Sequence, residues 1–195
     1  MSFGYRLQDG DRISVFPPFR ALDVTPLPCV APPPLAEARF VLDTHLGKLA
    51  AYLRLLGLDT AYRNDYDDRA IVRLACRERR IVLTRDRGLL KHGAVTHGYC
   101  VRSATPQAQL VEVVRRFDLA AAATPFRRCL RCNGLVVPVA KERVQERLLP
   151  RTRAHYDEFS ACTACAQVYW KGSHYRRMQR LLAEALSPEA PAARC

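Results

Sequence analysis

The chain is short of acid. Its 195 residues hold 19 Asp and Glu against 31 Lys and Arg, a formal net charge of +12. A surface with so little negative charge attracts polyanions through long-range electrostatics and counterion release, so nucleic acid is the first partner class to consider. The chain also lacks any apolar run long enough to span a bilayer, which excludes a helical membrane protein. Its opening, MSFGYRLQDGD, lacks the basic-then-apolar order of a secretory signal. These two absences predict a soluble, cytoplasmic protein without membrane partners. No G-x-G-x-x-G and no P-loop is found, and FVLDTHLG lacks the second acid of a D-x-D loop, so nucleotide-binding and phosphatase readings fall behind. No internal repeat is visible.

What is present is globular in composition: 49% hydrophobic and 26% charged residues, enough for one good-sized domain plus a smaller one. The basic excess is zero over residues 1–40, +5 over 41–124 and +7 over 125–195. YRLQDGDRISVF places Asp9-Gly10 between two short alternating segments, a hairpin signal. Five prolines between Pro26 and Pro34 then read as an extended linker or surface strap, with independent folding from about Ala38.

From Arg39 the pattern becomes regular. RFVLD predicts a strand and THLGKLAAYLRLLG a helix, with Leu46, Leu49, Leu53 and Leu56 on one side and Gly57 as its stop. LDTAY predicts a second strand. Asp67 or Asp68 caps a helix bearing Ile71, Val72, Ala75 and Cys76, and IVLT is a third strand. A loop, a fourth strand YCVR, and a helix QAQLVEVVRRF opened by Thr105-Pro106 complete the series. Strand and helix alternating in this way predict an α/β fold, a parallel sheet flanked by helices on both faces. Cys76 and Cys100, in apolar context, read as small core residues.

In such a sheet functional groups gather beyond the C-terminal ends of the strands. Asp43 ends the first strand and Asp86 the third, while Asp68, with Asp67 and Asp65 as alternatives, opens the intervening helix at the same edge. Asp68 by itself is also explained as a helix cap. Carboxylates brought together repel unless a cation or proton relieves them, and Asp oxygens are the ligands that Mg²⁺ or Mn²⁺ prefers. A divalent-metal phosphodiester hydrolase would explain acid inside a basic chain, with Arg and Lys holding the polyanion and Asp43, Asp68 and Asp86 holding the metal.

Cys129, Cys132, Cys162 and Cys165 form two C-x₂-C pairs separated by 29 residues. Each pair supplies two thiolates from one turn and four close a tetrahedron, so a structural Zn site is expected, one with no open position for catalysis. The spacer predicts a strand, LVVPV, and a helix, AKERVQERL. Beyond the second pair, Tyr169, Trp170 and Tyr175 interleave with Lys171, Arg176 and Arg177. They can stack on and grip RNA, or equally pack the zinc module onto the main domain. His174 reads as a surface or phosphate-contacting residue.

The segments RFVLDTHLGKLAAYLRLLGLDTAYRNDYDD and RRIVLTRDRGLL closely resemble the Mut-seven C-terminal RNase domain, a branch of the PIN-like nucleases, and YWKGSHY after the second knuckle matches the zinc ribbon of that family. The resemblance runs from residue 39 to about 180. It implies an RNase whose acidic site maps onto Asp43, Asp68 and Asp86, with Thr84, the small hydroxyl before the last acid, as a substrate-binding residue and Lys48, Arg54 and Arg85 as phosphate contacts. A fourth acid, common in PIN nucleases, has Asp65 and Asp67 as candidates. YRLQDGDRISVFPPF is similar to the second half of the ubiquitin-like β-grasp domain related to ThiS and MoaD, without a Gly-Gly tail. The implied organisation is a β-hairpin remnant of a β-grasp domain over 1–25, a Pro-rich linker over 26–38, a PIN-like RNase domain over 39–124, a four-cysteine zinc ribbon over 125–180 and an Ala-rich tail over 181–195. The expected function is a metal-dependent ribonuclease acting on RNA, with the ribosome or tRNA as candidate hosts. The alternative is a non-catalytic RNA- or ribosome-binding adaptor on the same fold.

Overall fold

Strand β1 (Phe40–Leu42) has no solvent exposure at any of its three side chains, which only a sheet covered on both faces can provide. The structure, a computed structural model, describes residues 37–187. The N-terminal hairpin, residues 1–36 of the remnant and linker, and the tail from 188 lie outside the described residues. β1 pairs in parallel with β2 (Thr60–Ala61) on one side and β3 (Ile81–Thr84) on the other, and β4 (Gly98–Cys100) adds beyond β3, giving the order β2-β1-β3-β4.

Alternation along the strands divides the core into two layers. Phe40, Leu42, Ile81 and Leu83 face one side, where Leu49 and Leu53 of α1 (Gly47–Leu55) and Leu110 and Val113 of α4 (Pro106–Phe117) cover them. Val41 and Val82 face the other, under Ile71, Val72 and Ala75 of α2 (Asp68–Glu78) and Leu89 of the short α3 (Arg87–Leu90). The helix starts follow local chemistry: Asp67 accepts from the Ala70 N–H at 2.6 Å to cap α2, and Thr105 accepts from Ala108 at 3.3 Å with Pro106 next.

Gly57 ends α1 at φ +85°, as its place in the sequence predicts, and a Cβ there would lie 2.1 Å from the Thr124 carbonyl oxygen. Residues 124–126 also bond the end of α1, Thr124 N–H to Leu56 O at 2.8 Å and Phe126 N–H to Leu55 O at 2.9 Å. Gly57→Ala therefore combines a left-handed backbone with a backbone clash, and is expected to lower stability by about 2–4 kcal/mol in urea denaturation. A loss under about 0.5 kcal/mol would show that the 124–126 segment is not seated there.

The second sheet is antiparallel, β5 (Val136–Val139), β6 (Phe159–Cys162) and β7 (Val168–Trp170) in that order. Its small core is Val144, Phe159 and Val168. Here several expectations change. AKERVQERL is not a continuous helix but two 3-10 turns, Lys141–Arg143 and Gln145–Arg147, because Val144 leaves the helical region (φ −123°, ψ −8°) to reach that core. Leu149 is then held extended before Pro150, and α5 (Pro150–His155) starts afresh. The Ala-rich tail does not begin at 181: α6 (Ser173–Leu186) carries the chain on to Leu186, since Leu182 and Ala185 are buried in the main core beside α4. The loop after β3 contains α3, and Thr44–Leu46 forms a 3-10 turn ahead of α1. Cys76 is exposed and Cys100 only half-buried, so neither is a core residue.

Candidate active site and thiolate centre

From β1 the chain passes through α1 to β2 on one side, and from β3 it passes to β4 on the other. The gap between the C-terminal ends of β1 and β3 is therefore the topological switch point, where open α/β sheets bind ligands. Asp43 and Asp86 both lie there. Asp43 follows Leu42 in extended conformation, with its N–H on Leu83 O at 3.2 Å, and is buried to 5% exposure. Its Oδ1 accepts from His45 N–H at 2.8 Å, and its Oδ2 accepts from Arg85 N–H at 3.0 Å and from the Thr84 hydroxyl. That hydroxyl in turn accepts from Asp86 N–H at 2.8 Å. Thr84 thus ties one aspartate to the backbone of the other. It is fully buried and bonded to both residues, a place that suits holding the two aspartates and leaves no surface for the substrate contact expected of it. Asp86 is exposed and accepts from Gly88 N–H at 2.6 Å through Oδ1 alone.

Asp67, not Asp68, caps α2, which leaves the exposed Asp68 in the first helical turn without that duty. Asp65 is spent on Arg63, with contacts of 2.6 and 2.8 Å. The fold brings Asp43 and Asp86 together around Thr84 and does not draw Asp68 into a three-acid group with them. Among the described residues the only group of three or more ligating side chains close enough to hold a metal is the cysteine quartet.

The four Sγ atoms of Cys129, Cys132, Cys162 and Cys165 lie within 4.8 Å of one another, with Cys129–Cys165 at 3.6 Å and Cys132–Cys162 at 3.4 Å. A disulfide needs about 2.05 Å, whereas tetrahedral ligands about 2.3 Å from zinc stand roughly 3.8 Å apart. The quartet fits zinc and can hold it. A Cβ at Gly134 would come within 2.9 Å of Cys162 Sγ, so glycine keeps the cradle open. The Tyr169 hydroxyl accepts from Leu130 N–H at 3.1 Å and donates to Cys129 Sγ at 3.1 Å. Burial disfavours the Cys129 thiolate, but that phenol and the N–H groups of Cys132 and Arg131 outweigh it and bring the thiol down to about 6. Burial and the neighbouring thiols push Cys132 up to about 12.

The first knuckle docks on the edge of the parallel sheet. Arg54 is only 4% exposed, and its guanidinium donates to Thr60 O (2.9 Å), Leu130 O (3.0 Å), Arg131 O (3.2 Å) and Tyr62 O (3.3 Å). The expectation that Arg54 contacts phosphate is corrected: its charge is consumed joining α1, the β2 edge and the knuckle. Burial holds its pKa below the usual arginine value, with the Cys129 and Cys132 charges opposing that fall. Asn133 completes the junction, accepting from Thr60 N–H at 3.0 Å and donating to Asp59 Oδ1 at 2.8 Å. Asp59 also takes Arg80 at 2.6 Å. Sequence reasoning missed Asn133 and Asp59, and read Tyr169 as an RNA-stacking or packing residue without its bond to Cys129. A signal existed for Asn133, which follows the knuckle at φ +71°, a conformation asparagine tolerates.

Lys48, Arg85, His174, Arg176 and Arg177 are exposed as expected. Lys171 is exposed too but paired with Glu158 at 2.6 Å. Of the three aromatics, Tyr169 serves the thiolate centre and Tyr175 packs on Phe126 with ring centroids 4.6 Å apart. Only Trp170, 39% exposed, keeps a face for a base.

Aspartates at the switch point of a four-stranded parallel sheet, joined to a ribbon whose four clustered thiols could hold a metal ion, define an α/β domain with a cysteine ribbon. Residues 38–182 match the family described as the Mut7-C RNAse domain, and the chain belongs to it. Membership supports a nuclease-like role and implies RNA as substrate. Comparison with curated proteins gives no match, and neither does comparison with solved structures. No helix among the described residues is long and apolar enough to cross a membrane.

Proposed function

We propose that the protein is a divalent-metal-dependent ribonuclease of the cytoplasm, hydrolysing phosphodiester bonds at Asp43 and Asp86, with Asp68 reaching the same site from α2 once RNA and metal are bound. The observation that carries this reading is the Thr84 link, which ties the buried Asp43 carboxylate to the backbone of the exposed Asp86 at the switch point. The donor set fits Mg²⁺ or Mn²⁺, because such ions commonly bind through one or two carboxylates and complete their shell with waters and substrate phosphate. When bound, the ion would supply an activated water and charge neutralisation at the phosphoryl group. Asp43, fixed by three hydrogen bonds, serves as the preorganised anchor. Asp86, with an oxygen outside its cap, serves as the second ligand. Lys48 and Arg85 hold phosphate nearby, and the ribbon assists RNA binding through Trp170, His174, Arg176 and Arg177.

The test is cleavage of end-labelled single-stranded and structured RNAs by zinc-loaded protein, with Mn²⁺ or Mg²⁺ added or withheld, beside Asp86→Asn. Metal-dependent cutting that falls about a hundredfold in Asp86→Asn is expected, together with weaker Mn²⁺ binding by paramagnetic resonance. One observation favours a second reading: among the described residues the carboxylates do not by themselves form a three-acid group. An RNA-binding adaptor would hold RNA, cut nothing with any metal, and be indifferent to Asp86→Asn.

A further inference from the structure

Alternation carries the aspartate site toward one layer. Val41 and Val82 face α2 and α3, and two residues later so do Asp43 and Thr84. The outer surface of that layer is strongly basic. Arg69, Arg73 and Arg77 follow one another at four-residue spacing on α2, all exposed, and Arg87 and Lys91 repeat the spacing at α3, also exposed. The two elements adjoin: Leu89 shares a core with Ile71, Val72 and Ala75, and Cys76 Sγ lies 3.1 Å from Ala94 O. Acid does not interleave. Glu78 is shared by Arg77 and Arg80, both at 2.7 Å, and the other carboxylates nearby, Asp67, Asp68 and Asp86, all stand at the start of the helices, at the rim.

Like charges at i,i+4 destabilise a helix, and a merely solvated face ordinarily alternates them with acids. Successive guanidiniums one turn apart stand about 6 Å from each other along the axis, close enough for neighbouring phosphates of one strand to meet one each. No aromatic residue lies on α2 or α3, so nothing there stacks on bases. Arginine forks instead match phosphate oxygens.

We propose that the α2–α3 face is a track for the RNA backbone, leading a single strand to the aspartate rim without reading its sequence. This deepens the ribonuclease reading and rests on it for the direction of the strand. Binding of a labelled oligouridylate and an oligoadenylate is followed by fluorescence anisotropy, without added magnesium or manganese, over a salt series. The variants are Arg69→Gln/Arg73→Gln/Arg77→Gln and a control on α4 of the opposite layer, Arg115→Gln/Arg116→Gln, compared per charge removed. Each neutralised phosphate contributes about 0.7 to the salt slope for a single strand. The α2 triple variant is expected to lose about 2 from that slope and at least tenfold in affinity at low salt, equally for both oligonucleotides. The control loses far less. Zinc content and melting temperature verify folding, and Arg73→Glu alone, expected to weaken binding further than Arg73→Gln, serves if the triple variant misfolds.

An unchanged slope, equal losses per charge in the two variants, or no RNA binding by the wild type overturns the track. The ribonuclease reading fails separately. Cleavage with an unchanged slope removes the track and keeps the nuclease, while a lowered slope without cleavage under any metal keeps the track on a non-cutting protein.

Discussion

Asp43→Asn is expected to reduce RNA cleavage by roughly a thousandfold, the size of effect that follows from losing about 4 kcal/mol of electrostatic stabilisation at the reacting phosphoryl group. The substitution keeps shape and removes charge. It is not silent structurally, because Asp43 accepts on both oxygens: His45 N–H on Oδ1, Arg85 N–H and the Thr84 hydroxyl on Oδ2. An amide has one acceptor oxygen, so one donor is left facing an NH₂ group, at a cost of about 1–3 kcal/mol in stability. Thr84→Val separates the two effects. It removes the link between the acids and leaves the carboxylate in place, and a positioning partner of this kind is worth about 10–100-fold in activity. The ordering expected in single-turnover assays is therefore wild type, Thr84→Val, then Asp43→Asn, with zinc content equal in all three. Cleavage by Asp43→Asn within tenfold of wild type would remove Asp43 from the chemistry. Equal losses in the two variants would mean that Asp43 acts only as a cap.

The parallel sheet was legible because two-sided burial leaves an unambiguous mark. FVL and IVLT are uninterrupted apolar runs, each followed by a polar rim residue, and helices of 3.6 period stand between them. The positions of Asp43 and Asp86 at the rim were legible for the same reason, whereas their bonds to the His45 and Gly88 N–H groups appear only in the fold. The thiolate quartet was legible from spacing. Arg54 was not, since an arginine inside an amphipathic helix reads as surface charge until the fold turns it toward four carbonyl oxygens, two of them more than 70 residues away in sequence. AKERVQERL carries a helical pattern, and only the tertiary demand of Val144 on the ribbon core breaks it into two turns. The composition of residues 181–186 looked like tail, yet Leu182 and Ala185 fill a gap beside α4 that no local pattern announces.

The buried arginine also makes the ribbon a determinant of the nuclease-like domain. Cys129→Ser/Cys132→Ser is expected to abolish zinc binding and to lower the melting temperature by roughly 10 °C or more. Two of the four acceptors of Arg54 are carbonyls of the first knuckle, Leu130 and Arg131, and the Asn133 side chain holds Thr60 N–H and Asp59 at the sheet edge. Once the knuckle opens, a buried guanidinium loses half its partners, and breaking a buried charged network costs about 3–5 kcal/mol. For a chain of this size each kcal/mol is worth about 2–4 °C. The loss does not stay in the ribbon. β2 is only two residues long, an edge strand whose outer side is closed by Asn133, and it leads into the loop that delivers Asp68. Hydrogen exchange in the zinc-free variant is therefore expected to rise at Thr60 and Tyr62 as well as within 129–135, while Leu42 and Leu83, held between β1 and β3, stay protected. Loss of zinc that leaves the melting temperature and Thr60 protection unchanged would show the ribbon to be an independent appendage. Loss that unprotects β1 and β3 equally would show that the sheet has no stability of its own without the metal, a stronger coupling than four carbonyls on one arginine can produce.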